Sequence, residues 1–411
     1  MFDAIVVGGR CAGSPTAMLL ARQGYRVLIV DRASFPSDTV STHYIPRIGV
    51  TFLERWGLAD HLIATNCPKI TEYNSDWGDF TLVGHPPPVN GAVGGYAPRR
   101  TVLDSTLLQA AIEAGAEVRE QCTVTDLLFD GDQVVGIEGR TGDGARFTEQ
   151  STIVIGADGR NSFVARTVGA PKYHETPSLA FQYYSYWSGV SRGVLEAYRR
   201  GRQGFFVFPT NDGLACVITA GPIETFDRFR ADHANNYRNV FRQIPDLDER
   251  MTAGRQEDRI YGTPDLPNFL RQSYGPGWAL VGDAGFHKDP QTGQGIRDCF
   301  RDAEILSRAI HEGISGIKPM QDALAAYQSS RDSQVREMLT HTIRVAAMKE
   351  PTEKDFALRT ALRENKADLD IMFGIGDGTV SPNAFFAPDN IGRILRGEQS
   401  KPVSNIVMDG A

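Results

Sequence analysis

The chain has 411 residues, of which 41 % are hydrophobic and 23 % charged, a mixture typical of a globular protein with a large core. Its net charge of −7 argues against nucleic acid or an anionic membrane surface as the main partner. No apolar run reaches the length of about 18 residues that a membrane-spanning helix needs, and no signal peptide is evident, so a cytoplasmic location is expected. The five cysteines are widely spaced and form no Cys/His cluster, so we expect neither a disulfide framework nor a metal site.

The beginning of the chain predicts a strand, a glycine-rich turn, a helix and a second strand. Residues 3–7 are a short apolar run, 16–23 predict a helix, and 25–30 predict a strand that ends at Asp31. The turn consists of Gly8, Gly9, Arg10, Cys11, Ala12 and Gly13. Glycines there permit a tight turn and close helix packing, and the helix N-terminus offers N–H groups to a pyrophosphate.

Two side chains of this unit bear on the nucleotide. Asp31 is expected to accept hydrogen bonds from ribose hydroxyls, which favours FAD or NAD over NADP. Arg10 stands where the usual pattern has its second glycine. Its side chain therefore either crowds the pyrophosphate or swings out and contacts it.

Two later strands also run into acidic residues beside glycines. Residues 152–156 predict a buried strand followed by Asp158 and Gly159, which would place a carboxylate beside the cofactor. Residues 278–281 predict another, followed by Gly282 and Asp283.

The second of these strands leads through a loop into a predicted helix, residues 297–310. The dipole at such a helix start would favour negative charge on a reduced ring. Asp283 would then bind a ribityl hydroxyl. The loop residues expected at the cofactor are Pro290, Gly293, Gln294, Gly295 and Ile296.

In this order, the motifs at 8–13, 158–159 and 282–283 resemble the FAD-dependent aromatic hydroxylase family, typified by p-hydroxybenzoate hydroxylase and related to geranylgeranyl reductases and flavin halogenases. The resemblance covers roughly residues 1–340. It implies an α/β fold, with a Rossmann-like three-layer FAD-binding domain interleaved with a β-sheet substrate domain, plus a helical C-terminal region. The expected limits are 1–70, 96–165 and 275–340 for the FAD-binding domain, 71–95 and 166–274 for the substrate domain, and 341–411 for the C-terminal helical region and tail.

The resemblance also implies further contacts with tightly bound FAD. Arg100, at the start of a predicted helix, would lie near the ribose and pyrophosphate, and the loop with Ser41 and Thr42 would lie along the flavin. Arg32 and Val124 complete the implied cofactor-binding set. NAD(P)H would dock transiently as a co-substrate, which agrees with the single dinucleotide fingerprint in the sequence.

The segment over the flavin is rich in aromatic residues. Residues 179–187 predict a strand, 204–209 and 213–220 predict a hairpin, and 222–242 predict a helix. The candidate substrate contacts are Tyr183, Tyr184, Tyr186, Phe206 and Phe208. A strand also places alternate aromatic residues in the core, and the pattern favours that position for most of them.

Three residues near the expected flavin could carry protons. Because a phenol must lose its proton to become a good nucleophile, a nearby histidine is a natural relay. The candidates are His287 in the loop after Asp283, and His43 and Tyr44 in the earlier loop.

The leading functional hypothesis is a monooxygenase that uses NAD(P)H and O2 to hydroxylate a phenol-like small molecule through a flavin hydroperoxide. The alternative is a geranylgeranyl reductase-like enzyme, because the loop 282–296 resembles that branch equally well; the lack of a basic amphipathic helix argues against it. A halogenase would show a WxWxIP segment, which residues 184–187 do not match. A non-catalytic flavoprotein is the remaining possibility. The chain is expected to be a monomer or homodimer, and residues 385–388 to cover either the pocket or a dimer partner.

Overall fold

The computed structural model describes residues 1–399, which form an α/β protein with three β-sheets. This agrees with the predicted fold class. The predicted irregular tail at 400–411 lies outside the described residues. None of the described helices has the length and apolar character needed to cross a bilayer.

The first sheet carries the three glycine-containing motifs. Phe2–Val7 lies in its middle, parallel to Val27–Val30 on one side and to the end of Arg146–Gly156 on the other. Val6 pairs with both Ile29 and Ile155, and all three are fully buried because layers cover both faces of the parallel strands. The eight strands are Phe2–Val7, Val27–Val30, Glu117–Arg119, Thr123–Asp130, Gln133–Arg140, Arg146–Gly156, Tyr274–Gly275 and Trp278–Leu280.

Three helices pack together against this sheet and share its core: Gly13–Arg22, Arg100–Glu113 and Gly295–Ile314. Since parallel strands place their carboxyl ends at one edge, Gly8, Ala157 and Val281 follow their strands at the same edge. The glycine-containing motifs therefore meet there. Shorter helices elsewhere are Arg47–Trp56, Ala59–Ala64 and Phe163–Thr167.

The second sheet is antiparallel over most of its width and has two distinct faces. The predicted hairpin is present as Gln203–Pro209 and Leu214–Pro222. The eight strands are Tyr73–Asp76, Thr81–Gly84, Ala180–Ser188, Leu195–Arg200, Gln203–Pro209, Leu214–Pro222, Arg255–Gln256 and Tyr261–Thr263. One face packs against short helices; the other, called the inner face here, carries Tyr184, Tyr186, Phe206 and Phe208 toward Tyr44.

The outer helical layer differs from its prediction. Residues 222–242 do not form one helix, because Asp232 has a non-helical backbone (φ −143°, ψ 59°) that separates two short helices. The helices of this layer are Phe226–Ala231, His233–Val240 and Pro245–Ala253.

A small third sheet and a helical C-terminal region complete the fold. The third sheet consists of Lys172–Thr176, Asn268–Arg271 and Phe286–His287. The C-terminal helices are Met320–Ala346, Glu353–Arg363, Lys366–Asp377, Pro382–Phe385 and Pro388–Leu395. Two strands from residues 71–95 join the second sheet; the domain limits themselves stay a prediction.

Candidate functional site

The first turn has no room for side chains at two of its glycines. Gly8 has φ +107°, and a Cβ there would lie 2.5 Å from the carbonyl oxygen of Ala157. A Cβ on Gly13 would overlap the carbonyl oxygen of Gly8. Asp31 stabilises the same turn, because its Oδ2 accepts a hydrogen bond from the N–H of Gly9 at 2.7 Å and its Oδ1 accepts one from the N–H of Ala33 at 2.8 Å.

Two arginines share one buried carboxylate beside this turn. Nη1 of Arg10 donates to Oδ2 of Asp104 at 2.6 Å, and Nε of Arg100 donates to Oδ1 at 3.0 Å. Arg10 also donates to Ser37, so its guanidinium lies to the side of the turn. Asp104 was not predicted, although its (i, i+4) spacing from Arg100 is a pattern visible in the sequence. Two arginines and the carboxylates of Asp104 and Asp31 therefore flank the expected pyrophosphate position.

The Gly282–Asp283 motif packs directly on the first turn. Gly282 has φ +60°, and a Cβ there would lie 2.7 Å from the Cβ of Ala12 and 3.1 Å from Sγ of Cys299. Asp283 lines a narrow cleft at the N-terminus of the helix Gly295–Ile314. Three separate chain segments therefore converge on one position.

The same helix start carries a buried charge cluster that sequence reasoning missed. Nζ of Lys288 donates to Asp298 and, at 3.0 Å, to Oε1 of Gln294. Nη1 of Arg297 and of Arg301 donate to Oδ1 of Asp298 at 2.8 and 2.9 Å. Burial alone would raise the pKa of Asp298, but these three cations hold it well below its ordinary value. A buried carboxylate among cations is ionised.

Asp158 caps a helix with one of its carboxylate oxygens, and its expected position beside the cofactor stays a prediction. Its Oδ2 accepts the N–H groups of Phe163 at 2.6 Å and Val164 at 3.2 Å, so it caps the helix Phe163–Thr167. Its Oδ1 is buried and has no partner in the described chain. Gly159 follows with φ +80°.

The other predicted cofactor residues are spread more widely. Ser41 accepts the N–H of His43 at 3.0 Å, and Nε2 of Gln294 donates to the carbonyl of Ile375 at 3.1 Å. Arg32 is exposed, whereas Val124 and Ile296 are core residues. Cys11 and Gly295 complete the set; burial raises the pKa of the Cys11 thiol, and a Cβ on Gly295 would meet no protein atom within 4 Å.

The residues at this edge fit a dinucleotide. A glycine cradle that excludes side chains, two arginines beside the turn and the N-termini of two helices of 10 and 20 residues are what a pyrophosphate-containing cofactor requires.

A cavity of about 260 Å³ lies next to this edge. It is bounded by the inner face of the second sheet, the loop of residues 290–293, and the helices Met320–Ala346 and Lys366–Asp377. Of the predicted residues, the structure brings together Thr42, Tyr44, Phe206, Phe208, Pro290 and Gly293. Within residues 1–399, no Asp, Glu, Lys or Arg lines it.

Tyr44 belongs to a buried cluster behind the cavity wall. Its hydroxyl hydrogen-bonds that of Tyr73, and Oδ1 of Asp377 accepts from Tyr73 at 2.7 Å and Tyr44 at 3.1 Å. The Arg47 guanidinium forms an ion pair with Asp377, and both side chains are almost wholly buried. Burial and the Asp377 charge raise the pKa of both tyrosines well above the ordinary value, so they stay neutral.

His43 lies under the inner face, outside the cavity lining. Its Nε2 hydrogen-bonds the hydroxyl of Tyr186, Tyr184 packs edge-on against it, and its Nδ1 is buried without a partner in the described chain. Burial, then the positive charges of Arg100 and Arg99, lower its pKa well below the ordinary value, so this imidazole is neutral. A neutral, buried histidine can hold a proton only on one ring nitrogen.

Tyr183 does not agree with its expected substrate role. It lies on the opposite face from Tyr184 and Tyr186, stacked on Phe229 and His233. Successive strand residues alternate between faces, so one of two adjacent tyrosines must point away.

His287 is also outside the cavity lining. Its Nδ1 hydrogen-bonds the carbonyl of Pro267, and its ring stacks on Phe269 at 5.9 Å. The proton-relay role expected of it stays a prediction that this geometry does not favour.

The histidine that does line the cavity is His341, on the helix Met320–Ala346. Its Nδ1 is buried with no partner in the described chain, and its ring stacks on Phe386 at 5.8 Å. Burial, with the charge of Arg344, lowers its pKa to about 4. Sequence reasoning missed it because nothing in the local pattern distinguishes it from a surface histidine of a long helix.

Comparison with known proteins agrees with this geometry. The digeranylgeranylglycerophospholipid reductase of Methanocella arvoryzae is 27 % identical over 350 residues, which cover 82 % of this chain and 83 % of the reductase. The myxobacterial chondrochloren halogenase CndH superposes with a TM-score of 0.78 at 20 % identity, covering 96 % of each chain. The structure of pqsL, a probable FAD-dependent monooxygenase from Pseudomonas aeruginosa, superposes with a TM-score of 0.69 at 19 % identity, covering 92 % of this chain and 99 % of pqsL.

The fold and the site define a FAD-dependent oxidoreductase. The chain belongs to the family described as FAD binding domain, whose model matches residues 1–342. The resemblance seen in the three motifs is thereby confirmed. The relatives carry names of three different activities, so the reaction must be argued from the cavity.

Proposed function

We propose that this protein is a monooxygenase that uses NAD(P)H and O2 to hydroxylate an aromatic small molecule. The observation that carries the proposal is the cavity of about 260 Å³ beside the flavin-binding edge, with aromatic walls and no charged side chain among the described lining residues. Small-molecule pockets span roughly 300–1000 Å³, so this cavity suits a compact ring system.

The walls of the cavity favour a flat ligand. Phe208 stacks on Tyr44 at 5.6 Å and on Phe206 at 6.2 Å, and Phe373 meets Tyr73 edge-on at 5.7 Å. Aromatic pairs of this kind are worth about 0.5–1.5 kcal/mol beyond the area they bury. A substrate ring would add to the same stack.

Bound FAD would supply the reduction of oxygen and the transfer of one oxygen atom. The chain's own part is to bind, orient and keep water out. Gly8 and Gly13 would admit the pyrophosphate, and the helix Lys366–Asp377 supplies one wall of the cavity. NAD(P)H is proposed as a transient reductant, as in the aromatic hydroxylases that the motifs resemble.

The second candidate is reduction of an isoprenoid double bond. The 27 % identity with a digeranylgeranylglycerophospholipid reductase supports it. The aromatic side chains of the cavity lining favour a ring over a flexible chain, and hence the hydroxylase. The likeness to a halogenase is a likeness of fold, and residues 184–187 lack the halogenase segment.

The test is NAD(P)H oxidation by the purified holoenzyme, with and without oxygen, against a panel of phenols and isoprenoids. A phenol that speeds oxidation and yields a product heavier by one oxygen atom would support the proposal. Oxygen-independent consumption of NAD(P)H that yields a saturated isoprenoid product would support the reductase instead. No consumption of NAD(P)H with any compound would indicate a flavin-binding protein without turnover.

A pair of phenylalanine variants links the activity to the cavity. Phe208→Ala removes a wall and should lower kcat/KM about tenfold or more, because loss of a buried phenylalanine contact exceeds roughly 1.4 kcal/mol. Phe129→Ala is the control, since Phe129 is 48 % exposed on the first sheet. Equal effects of the two would contradict the assignment of the cavity.

A further inference from the structure

The polar groups around the cavity indicate what kind of aromatic molecule it accepts. Four lining side chains have a buried polar atom without a partner in the described chain: Oδ1 of Asn74, Nδ1 of His341, Nε2 of Gln182 and Nε2 of Gln291. Buried polar groups are normally hydrogen-bonded, so atoms left over in a pocket lining call for complementary groups on a ligand.

The lack of charged lining residues sets the charge of the ligand. A carboxylate or ammonium group moved into an apolar site without a counter-charge is heavily penalised. Within residues 1–399, the ion pair that contacts Tyr44 and Tyr73, Arg47 with Asp377, is already satisfied by its own partners and the two tyrosines. An anionic ring would therefore find no free cation in this lining.

His341 is in the neutral form that hydrogen-bonds a hydroxyl. The charged groups around it are Glu337 and Arg344 on its own helix and Lys288 in the loop before Pro290. Burial, Arg344 and Lys288 lower its pKa to about 4, with Glu337 opposing them. A neutral imidazole offers one acceptor and one donor nitrogen, and the two glutamine amides offer N–H donors.

We propose that the cavity selects an uncharged aromatic substrate that carries both a hydroxyl, which donates to His341, and a carbonyl, which accepts from Gln182 or Gln291, and that it discriminates against aromatic carboxylates. This inference rests on the proposed function and names its substrate class. In this proposal His341 binds the hydroxyl of the substrate, and it lies outside the three cofactor motifs.

The test is equilibrium binding to the oxidised holoenzyme, without NAD(P)H, followed by the flavin absorbance change or by calorimetry. The probes are para-hydroxyacetophenone, acetophenone and para-hydroxybenzoate. The neutral hydroxy ketone should bind about fivefold more tightly than acetophenone, the value of one hydrogen bond, and at least about 100-fold more tightly than the carboxylate. Equal or tighter binding of para-hydroxybenzoate would overturn the proposal.

Variants of His341 separate recognition from packing. His341→Phe should remove the preference for the hydroxyl, so that para-hydroxyacetophenone and acetophenone bind alike, and His341→Asn should restore part of that preference because its amide again offers an acceptor. His61→Asn, on the exposed side of the helix Ala59–Ala64, is the matched control. A uniform loss of affinity for both ketones in His341→Phe would mean a structural role only and would refute the assignment.

Because no turnover is involved, the outcome is distinct from that of the oxygenation test. The predicted binding order without any oxygenated product would refute the monooxygenase while leaving the neutral-ligand site in place. Oxygenation of aromatic carboxylates would refute the substrate class while the monooxygenase stands.

Discussion

Breaking the ion pair behind the cavity wall should destabilise the protein strongly. Asp377 ends the helix Lys366–Asp377 and accepts hydrogen bonds from the Arg47 backbone and guanidinium and from the hydroxyls of Tyr73 and Tyr44. The side chains of the pair are 1 % and 0 % exposed. Asp377→Asn leaves the Arg47 cation buried without a counter-charge, which costs about 3–5 kcal/mol.

The assay is urea unfolding of the holoenzyme, with the midpoint falling while the slope stays unchanged. The double variant Arg47→Met/Asp377→Leu should lose less free energy of unfolding than Asp377→Asn alone, because replacing both partners leaves no unpaired charge. Lys366→Met on the same helix is the control; that lysine is 55 % exposed, so its loss should cost less than about 1 kcal/mol. A loss below about 1 kcal/mol for Asp377→Asn would refute the reasoning.

Three further predictions concern the cofactor edge and the pH dependence. Gly13→Ala should yield insoluble or flavin-free protein because its Cβ would overlap Gly8, whereas Gly295→Ala, whose Cβ meets no protein atom, should keep the unfolding midpoint measured without FAD and lose FAD affinity only; flavin retention in both would contradict the site. Asp283→Ala should purify without yellow colour, and full FAD retention would reject that carboxylate as a flavin ligand. The pKa of His341 is lowered to about 4 from its ordinary value near 6.5, so between these pH values the unfolded chain binds a proton that the folded chain does not. The free energy of unfolding should therefore fall as pH drops from about 6.5 to 4, and urea titrations of His341→Asn should show a shallower fall. The same dependence on pH in both proteins would contradict the buried neutral imidazole.

The elements that local patterns define were predictable from the sequence. The apolar run at the start of the chain predicts the first strand, and the glycines after it predict the tight turn that leads into the helix. The hairpin of the second sheet is predicted by two apolar runs on either side of a polar turn. The helix Gly295–Ile314 extends beyond its predicted range at both ends, where propensity is a weaker guide than packing.

The contents of the cavity were not predictable, because they depend on contacts between distant segments. Residues 180–187 are all buried, so burial gives no alternation that would assign Tyr183 and Tyr184 to opposite faces. The position of His341 in the same cavity lining as Tyr44 requires the C-terminal helices to pack over the sheet. Phe386, expected over the pocket or at a dimer partner, stacks on the lining residue His341 but does not itself line the cavity.

The most direct test of the central claim is turnover of the holoenzyme with a neutral hydroxyaryl ketone under heavy-isotope oxygen gas, followed by mass spectrometry of the product. The account predicts a product that carries one labelled oxygen atom and a requirement for both NAD(P)H and oxygen. A product that forms without oxygen, or that carries no label, would contradict it.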